Sequence, residues 1–188
     1  MKSLVDSMPI ITCAGKNKAR KVATEITSKG YYSTKNMYYF GLKLHAVAFR
    51  RKGTIPFPEM LILSAADEND STVFKRKCVG NLNNREIYAD KIYSDISFYK
   101  ETQECKKNEL FTPVKAIKGE STEITKRKKA ARNLFSTAVS KVRQPTESLF
   151  NWLNEKNKYS KSDESQIYIW TSSTYDGKNC HRIDYSNF

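Results

Sequence analysis

The chain has 188 residues, 39% of them hydrophobic, which is enough for about one domain with a buried core and excludes a disordered protein. Its 33 lysine and arginine residues outnumber the 20 aspartate and glutamate residues, giving a net charge of +13. This excess favours a polyanionic partner, most simply DNA or RNA, and the alternative is a basic protein that binds nucleic acid only non-specifically.

The first half of the chain predicts three strands, at residues 4–11, 37–49 and 60–64. The second of these gives the strongest signal, because hydrophobic and aromatic residues recur at every other position over its whole length. Residues 13–35 are basic and rich in Lys, Gly, Ser and Thr, and this composition predicts a loop.

The second half alternates predicted helices and strands. In chain order these are a capped helix at 70–80, a strand at 86–90, a helix at 94–106, a strand at 110–117 and a helical region at 122–156. Pro145 interrupts the last region, because proline kinks a helix or restarts it at its first turn. We therefore predict a mixed α/β domain around one sheet of about five strands in residues 1–160, followed by an irregular tail at 161–188.

The cysteine pattern and the hydropathy indicate a cytoplasmic protein. Cys13, Cys78, Cys105 and Cys180 show no Cys-x-x-Cys spacing, which argues against a structural zinc site and is typical of thiols in a reducing cytosol. The sequence has no apolar run near the ~20 residues that span a bilayer, and its first residues lack a signal-peptide core. We expect no membrane association.

Three acidic residues stand where they could form a metal site. Asp6 lies in the first predicted strand, Asp90 ends the fourth, and Glu147 lies on the last helical region, four residues after Arg143. Phosphodiester chemistry uses two divalent ions about 3.5–4 Å apart, and Mg²⁺ prefers hard oxygen ligands. Asp6 and Asp90 can meet only if their strands are neighbours. Each acid alone also has an ordinary explanation, as a turn or cap aspartate or as a surface ion pair with Arg143.

The contexts of these acids resemble the catalytic domain of bacterial insertion-sequence transposases of the DDE type, which have a ribonuclease H-like fold. The resemblance covers residues 4–156. Its motifs are Val5-Asp6-Ser7-Met8-Pro9, Gly30-Tyr31-Tyr32-Ser33-Thr34-Lys35, Tyr38-Tyr39-Phe40-Gly41-Leu42-Lys43-Leu44-His45, Ala89-Asp90-Lys91-Ile92-Tyr93 and Arg143-x-x-x-Glu147-Ser148-Leu149-Phe150. The family usually has Gly where this chain has Ala89, and some relatives have Tyr and Lys where it has Ser140 and Asn154.

The resemblance implies that Asp6, Asp90 and Glu147 bind two Mg²⁺ or Mn²⁺ ions. It further implies cleavage at the ends of a mobile element, followed by attack of the freed 3′-hydroxyl on target DNA, by a dimer assembled on DNA. The alternatives are an inactive transposase remnant that only binds DNA and a ribonuclease H-like nuclease that cleaves without strand transfer.

Four further residues are candidate DNA contacts. The resemblance implies that Arg143 holds the DNA backbone, a role that suits its planar, permanently charged guanidinium. Lys43, His45 and Lys91 are additional candidate phosphate contacts. For these three the ordinary alternative, a solvated strand face or a loop lysine, stays open.

Features at both ends of the sequence predict that the protein differs from a complete transposase of this type. Asp6 stands so early that we expect the usual segment for recognising element ends to be missing. When the possible codons of residues 170–188 are read one base later, they permit an apolar sequence that resembles the closing helix of the family. We therefore predict a frameshift between about residues 156 and 170, which the DNA sequence of the gene would decide.

Overall fold

The computed structural model of the chain describes residues 1–14, 24–115 and 122–157. Within these ranges it contains six strands and four helices. The strands are β1 Lys2–Ala14, β2 Ser28–Tyr32, β3 Met37–Phe49, β4 Phe57–Ala65, β5 Glu86–Ala89 and β6 Glu109–Phe111. The helices are α1 Asp70–Lys77, α2 Ile96–Lys106, α3 Thr122–Arg143 and α4 Pro145–Asn157. The tail at 161–188 and its predicted frameshift lie outside the described residues.

The strands form one mixed sheet in the order β2-β3-β1-β5-β6, and β4 also pairs with β3. Strand β5 runs parallel to both β1 and β6, whereas β2 and β3 are antiparallel. The predicted α/β class with one mixed sheet is therefore confirmed. The sheet has one strand more than expected, because β2 falls in the segment that the composition predicted as a loop.

The chain divides into two compact units, and β1 and β3 each contribute to both. The first unit comprises residues 1–8, 44–64 and 68–149, and the second comprises the described parts of 9–43 and 65–67 together with the helical residues from 150 onward.

The core of the first unit lies on both faces of its strands. On one face, Val5 packs in a cluster with Phe74 of α1 and Tyr93, and Phe98 of α2 packs against this cluster. On the other face, the hydrophobic cluster is formed by Leu4, Tyr88 and Val139, the last of these from α3. Because successive side chains of a strand point to opposite faces, Leu4 and Val5 serve different layers. Helices α1 and α2 therefore cover one face of these strands, and α3 covers the other.

The second unit contains the antiparallel pair of β2 and β3 and a close approach between β1 and β3. A Cβ atom added to Gly41 would lie 2.0 Å from the Ile10 carbonyl oxygen, so only glycine fits at this position of β3. The Thr12 hydroxyl donates a hydrogen bond of 3.0 Å to the Phe40 carbonyl oxygen. Tyr39 is 1% exposed and is among the largest buried side chains.

The break between α3 and α4 follows the prediction at Pro145. Helix α3 ends at Arg143 and α4 begins with Pro145, a position where the missing N–H of proline costs no hydrogen bond. The fully buried Thr146 donates its hydroxyl to the Arg143 carbonyl oxygen over 2.8 Å, and the Glu147 N–H donates to Gln144 over 3.0 Å. These bonds fix Arg143 and Glu147 on the two sides of the break. No helix among the described residues is long and apolar enough to cross a membrane.

Candidate functional site

Asp6 lies within β1, and Asp90 directly follows the neighbouring parallel strand β5. The register of β1 and β5 pairs Leu4 with Tyr88, so two residues later Asp6 comes level with Asp90. Leu4 and Tyr88 pack with Val139 of α3, and the backbone of Asp90 is still extended. Because side chains alternate along a strand, the two aspartates project from this same α3-facing side, on strands about 4.8 Å apart. The sequence-derived condition that their strands be neighbours is met.

Arg143 and Glu147 come to the same place from the helix break. Arg143 Nη1 forms an ion pair with Asp6 Oδ2, and Arg143 Nη2 lies 3.8 Å from Glu147 Oε1. The Arg143 and Asp6 side chains are 18% and 19% exposed, whereas that of Glu147 is 60% exposed. The contact between Arg143 and Glu147 is thus the weak surface pair expected from their spacing. The contact between Arg143 and Asp6 is shielded from water and therefore stronger.

The electrostatics of this group centre on Asp6. Burial raises the pKa of Asp6 from its ordinary value of 3.8 to about 6, and repulsion from Asp90 and Glu147 adds to the rise. The Arg143 guanidinium and the Ser7 N–H, which donates to Asp6 Oδ1 over 2.9 Å, act in the opposite direction and lower this pKa. The ionised Asp6 carboxylate is therefore costly in the folded protein, and a further cation beside it would relieve that cost.

The donor set suits the divalent ions that the resemblance implies, because three carboxylates are hard oxygen ligands. In this structure, however, the side chains of Asp6, Asp90 and Glu147 do not converge on one metal position. Among residues 1–14, 24–115 and 122–157, no group of three or more His, Cys, Asp or Glu side chains is placed to hold a metal ion. The Arg143 guanidinium supplies the positive charge at Asp6 instead. Asp6, Asp90 and Glu147 thus fit a hard cation by their chemistry, and in this structure Arg143 occupies Asp6 Oδ2.

An open cleft of about 360 Å³ lies along α3 and the start of α4. Its lining residues are hydroxyl, amide and charged side chains spaced mostly three or four positions apart: Ser136, Thr137, Ser140, Lys141, Arg143, Gln144 and Glu147. Such a surface offers several hydrogen-bond donors and two cations to a phosphate backbone. Apart from Arg143 and Glu147, the sequence analysis missed these residues. Their helical spacing on one polar face was the signal that could have found them.

The remaining predicted DNA contacts lie in different environments. Lys91 is exposed and directly follows Asp90. Lys43 is half-buried and belongs to the second unit. His45 is only 3% exposed, and its Nε2 lies 2.8 Å from the Ser64 hydroxyl. The imidazole of His45 is therefore almost completely buried.

Sequence analysis also missed a fourth carboxylate near Asp6. The Ser7 hydroxyl donates to Asp70 Oδ2 over 2.9 Å, although Asp70 was expected only to start a helix. Burial, followed by the charges of Asp70 and Asp6, raises the pKa of the nearby Tyr93 well above its usual range. A helix-start aspartate gives no sequence signal for such a contact, because the contact depends on how α1 packs on the sheet.

Comparison with known proteins found no family model, curated protein or solved structure that matches this chain. The resemblance to DDE transposases therefore stays a prediction that rests on the motifs. The candidate site consists of an aspartate in β1, an aspartate directly after β5, an arginine and a glutamate at a helix break, and a polar cleft.

Proposed function

We propose that this chain is the catalytic domain of a DDE transposase with a ribonuclease H-like fold, which cleaves DNA at the ends of an element and joins them to target DNA. The observation that carries the proposal is the parallel pairing of β1 with β5, which ends at Val5 and Ala89 and so brings the next residues, Asp6 and Asp90, level with each other on the face covered by α3. Rigid strands hold such carboxylates in place. The net charge of +13 supports a polyanionic substrate.

In this proposal Asp6, Asp90 and Glu147 hold two Mg²⁺ or Mn²⁺ ions, which when bound activate the attacking oxygen and stabilise the leaving oxygen. The Ser7 N–H orients Asp6 by binding its Oδ1, which leaves Oδ2 for a cation. Arg143, once displaced from Oδ2, can hold a backbone phosphate through two parallel hydrogen bonds. The polar cleft beside Arg143 extends the binding surface for the DNA strand.

A remnant that binds DNA without cleaving it is the second candidate. The ion pair of Arg143 with Asp6 favours it, because this pair neutralises the buried carboxylate without any metal ion. In that case the basic surface would retain affinity for DNA, and the three acids would serve only to hold Arg143. Binding of this kind falls steeply as salt is added.

The experiment is a cleavage and strand-joining assay on DNA that carries the sequences flanking the gene, with Mg²⁺, Mn²⁺ or EDTA. The variants are Asp90→Asn and, as a matched control, Asp67→Asn, an exposed aspartate of the second unit. We expect divalent-dependent cleavage and joining for the wild type and the Asp67 variant and neither for the Asp90 variant.

Each other outcome selects a different function. Cleavage without joining indicates a nuclease, and binding without cleavage indicates a remnant. Activity that survives replacement of Asp90 rules out the metal assignment.

A further inference from the structure

Two hydrogen bonds in series connect Asp6 to Asp70 through Ser7. The Ser7 N–H donates to Asp6 Oδ1 and the Ser7 hydroxyl donates to Asp70 Oδ2, each over 2.9 Å. Because neighbouring side chains of a strand point to opposite faces, Asp6 faces α3 whereas Ser7 faces α1. Ser7 thus links two carboxylates on opposite faces of the sheet that stand 64 positions apart in the chain.

This connection occurs where β1 stops pairing with β5, one of its two neighbours in the sheet. The parallel pairing of β1 with β5 runs from Lys2 to Val5, one residue before Asp6. Beyond that point the side chains of Asp6 and Asp70 receive the hydrogen bonds of Ser7. Ser7 therefore donates to both carboxylates, through its N–H to Asp6 and through its hydroxyl to Asp70.

Asp70 is itself held at a well-anchored helix start. It is the first residue of α1, and the preceding Asn69 caps the helix by accepting hydrogen bonds from the N–H groups of Ser71 and Thr72 at 2.9 and 3.4 Å. Phe74, one turn later, is 1% exposed in the core. A helix start also favours a carboxylate through its dipole. Asp70 is therefore a fixed acceptor for the Ser7 hydroxyl.

Tyr93 is buried on the same face of the sheet, in the cluster that contains Val5 and Phe74. Its side chain is 1% exposed, and its ring meets that of Phe74 edge-on, with centroids 5.6 Å apart and planes at 86°. Tyr93 lies three residues after Asp90, on the short helical turn that follows β5. The two hydrogen bonds of Ser7 are partly buried beside this core, and partial shielding from water makes them stronger than bonds at the open surface.

We propose that Asp70 is a positioning residue that fixes the direction of Asp6 through the hydroxyl and the backbone amide of Ser7. The proposal rests on the proposed function, in which Asp6 holds a divalent ion. The series of bonds occupies Asp6 Oδ1 and turns Oδ2 towards the site, where Arg143 now contacts it. Residues that orient a metal-binding side chain in this way typically change metal affinity about 10–100-fold when they are removed.

The test uses Asp70→Ala, Asp70→Asn and the control Asp67→Ala, which removes another Ser–Asp hydrogen bond, from Ser28 to Asp67, of 2.7 Å. Two properties are measured on the full chain: hydrogen exchange of the Ser7 amide by NMR without metal, and Mn²⁺ affinity by electron paramagnetic resonance. For Asp70→Ala we expect faster Ser7 exchange and about tenfold weaker Mn²⁺ binding. Asp70→Asn should restore most of both, because its amide oxygen still accepts from Ser7.

Unchanged Ser7 exchange and Mn²⁺ affinity in Asp70→Ala would overturn the proposal, and so would an equal loss in the Asp67 control. If Asp70→Ala fails to fold, Ser7→Ala takes its place, since this substitution removes the Ser7 hydroxyl and keeps the backbone amide. Unchanged Mn²⁺ affinity in Ser7→Ala also overturns the proposal. If the wild type binds no Mn²⁺ while Asp70→Ala selectively speeds Ser7 exchange, the metal-dependent function fails and the positioning of Asp6 by Asp70 stands.

Discussion

Replacement of Asp6 by asparagine should stabilise the metal-free protein at neutral pH, although it removes a side chain of the proposed metal site. Asparagine resembles a protonated aspartate in shape and cannot ionise. In the wild type, burial and then repulsion from Asp90 and Glu147 raise the pKa of Asp6 to about 6, against the lowering effects of Arg143 and Ser7. At pH 7 the folded protein therefore carries a carboxylate in an unfavourable environment.

The size of the effect follows from the two pKa values. The difference between 3.8 in the unfolded chain and about 6 in the folded protein corresponds to about 3 kcal/mol of unfolding free energy. Between these values the folded state binds more protons than the unfolded state, so the stability of the wild type falls as the pH rises. The stability of the Asp6→Asn variant does not fall in this way, because asparagine does not ionise. The two proteins should be equally stable below about pH 4 and differ by up to about 3 kcal/mol above about pH 6.5.

The assay is urea unfolding of both proteins at several pH values in EDTA. Asp95→Asn provides a control of opposite sign, because a hydrogen bond from Lys75, then those from Ser97 and the Phe98 N–H, hold the pKa of Asp95 well below its usual range. Stability that depends on ionised Asp95 is present at neutral pH and is lost on acidification, so Asp95→Asn should be the less stable protein at pH 7. A difference between Asp6→Asn and the wild type that is negative or independent of pH would refute the reasoning.

Three other substitutions test separate parts of the structure. The Arg143→Gln variant should bind Mn²⁺ about tenfold more tightly than the wild type in the absence of DNA, because it removes a charge-assisted contact to Asp6 worth roughly 1.5 kcal/mol. Unchanged affinity in a Mn²⁺ titration would contradict the idea that the metal ion displaces Arg143 from Asp6. The Gly41→Ala substitution should lower the free energy of unfolding in urea by about 3 kcal/mol, because the new Cβ would lie 2.0 Å from the Ile10 carbonyl oxygen. An unchanged free energy of unfolding would show that β1 and β3 lie farther apart. The Leu149→Ala substitution should lower the free energy of unfolding by about 2–5 kcal/mol, since Leu149 is fully buried at the start of α4. A smaller decrease would mean that this helix packs loosely.

Much of the fold could be predicted from local patterns. Strand β3 was predicted with its observed ends, because its alternation of residues is long and its neighbours are turn residues. The break at Pro145 was predicted from the covalent geometry of proline. Strand β2 was missed, because it is a short edge strand in which Lys29 and Tyr31 are exposed and Gly30 has no side chain. Among the strands that the structure describes, it pairs with β3, and the choice of partner is a tertiary property that local composition does not encode.

The site was predictable to the extent that it depends on sequence spacing. The contact between Arg143 and Glu147 follows from their separation by one helical turn. The pairing of β1 with β5, which brings Asp6 level with Asp90, could be stated only as a condition. The contacts of Asp6 with Arg143 and of Ser7 with Asp70 join residues far apart in the chain, and they depend on how α3 and α1 pack on opposite faces of the sheet.

The most direct test of the proposed metal-dependent site is the number of Mn²⁺ ions bound by the protein in the presence of DNA, measured by electron paramagnetic resonance. The wild type should bind two ions, and Asp6→Asn, Asp90→Asn and Glu147→Gln should each lose at least one of them, whereas Asp67→Asn should keep both. Equal Mn²⁺ binding by the wild type and all three site variants, or no binding by any of them, would contradict the account.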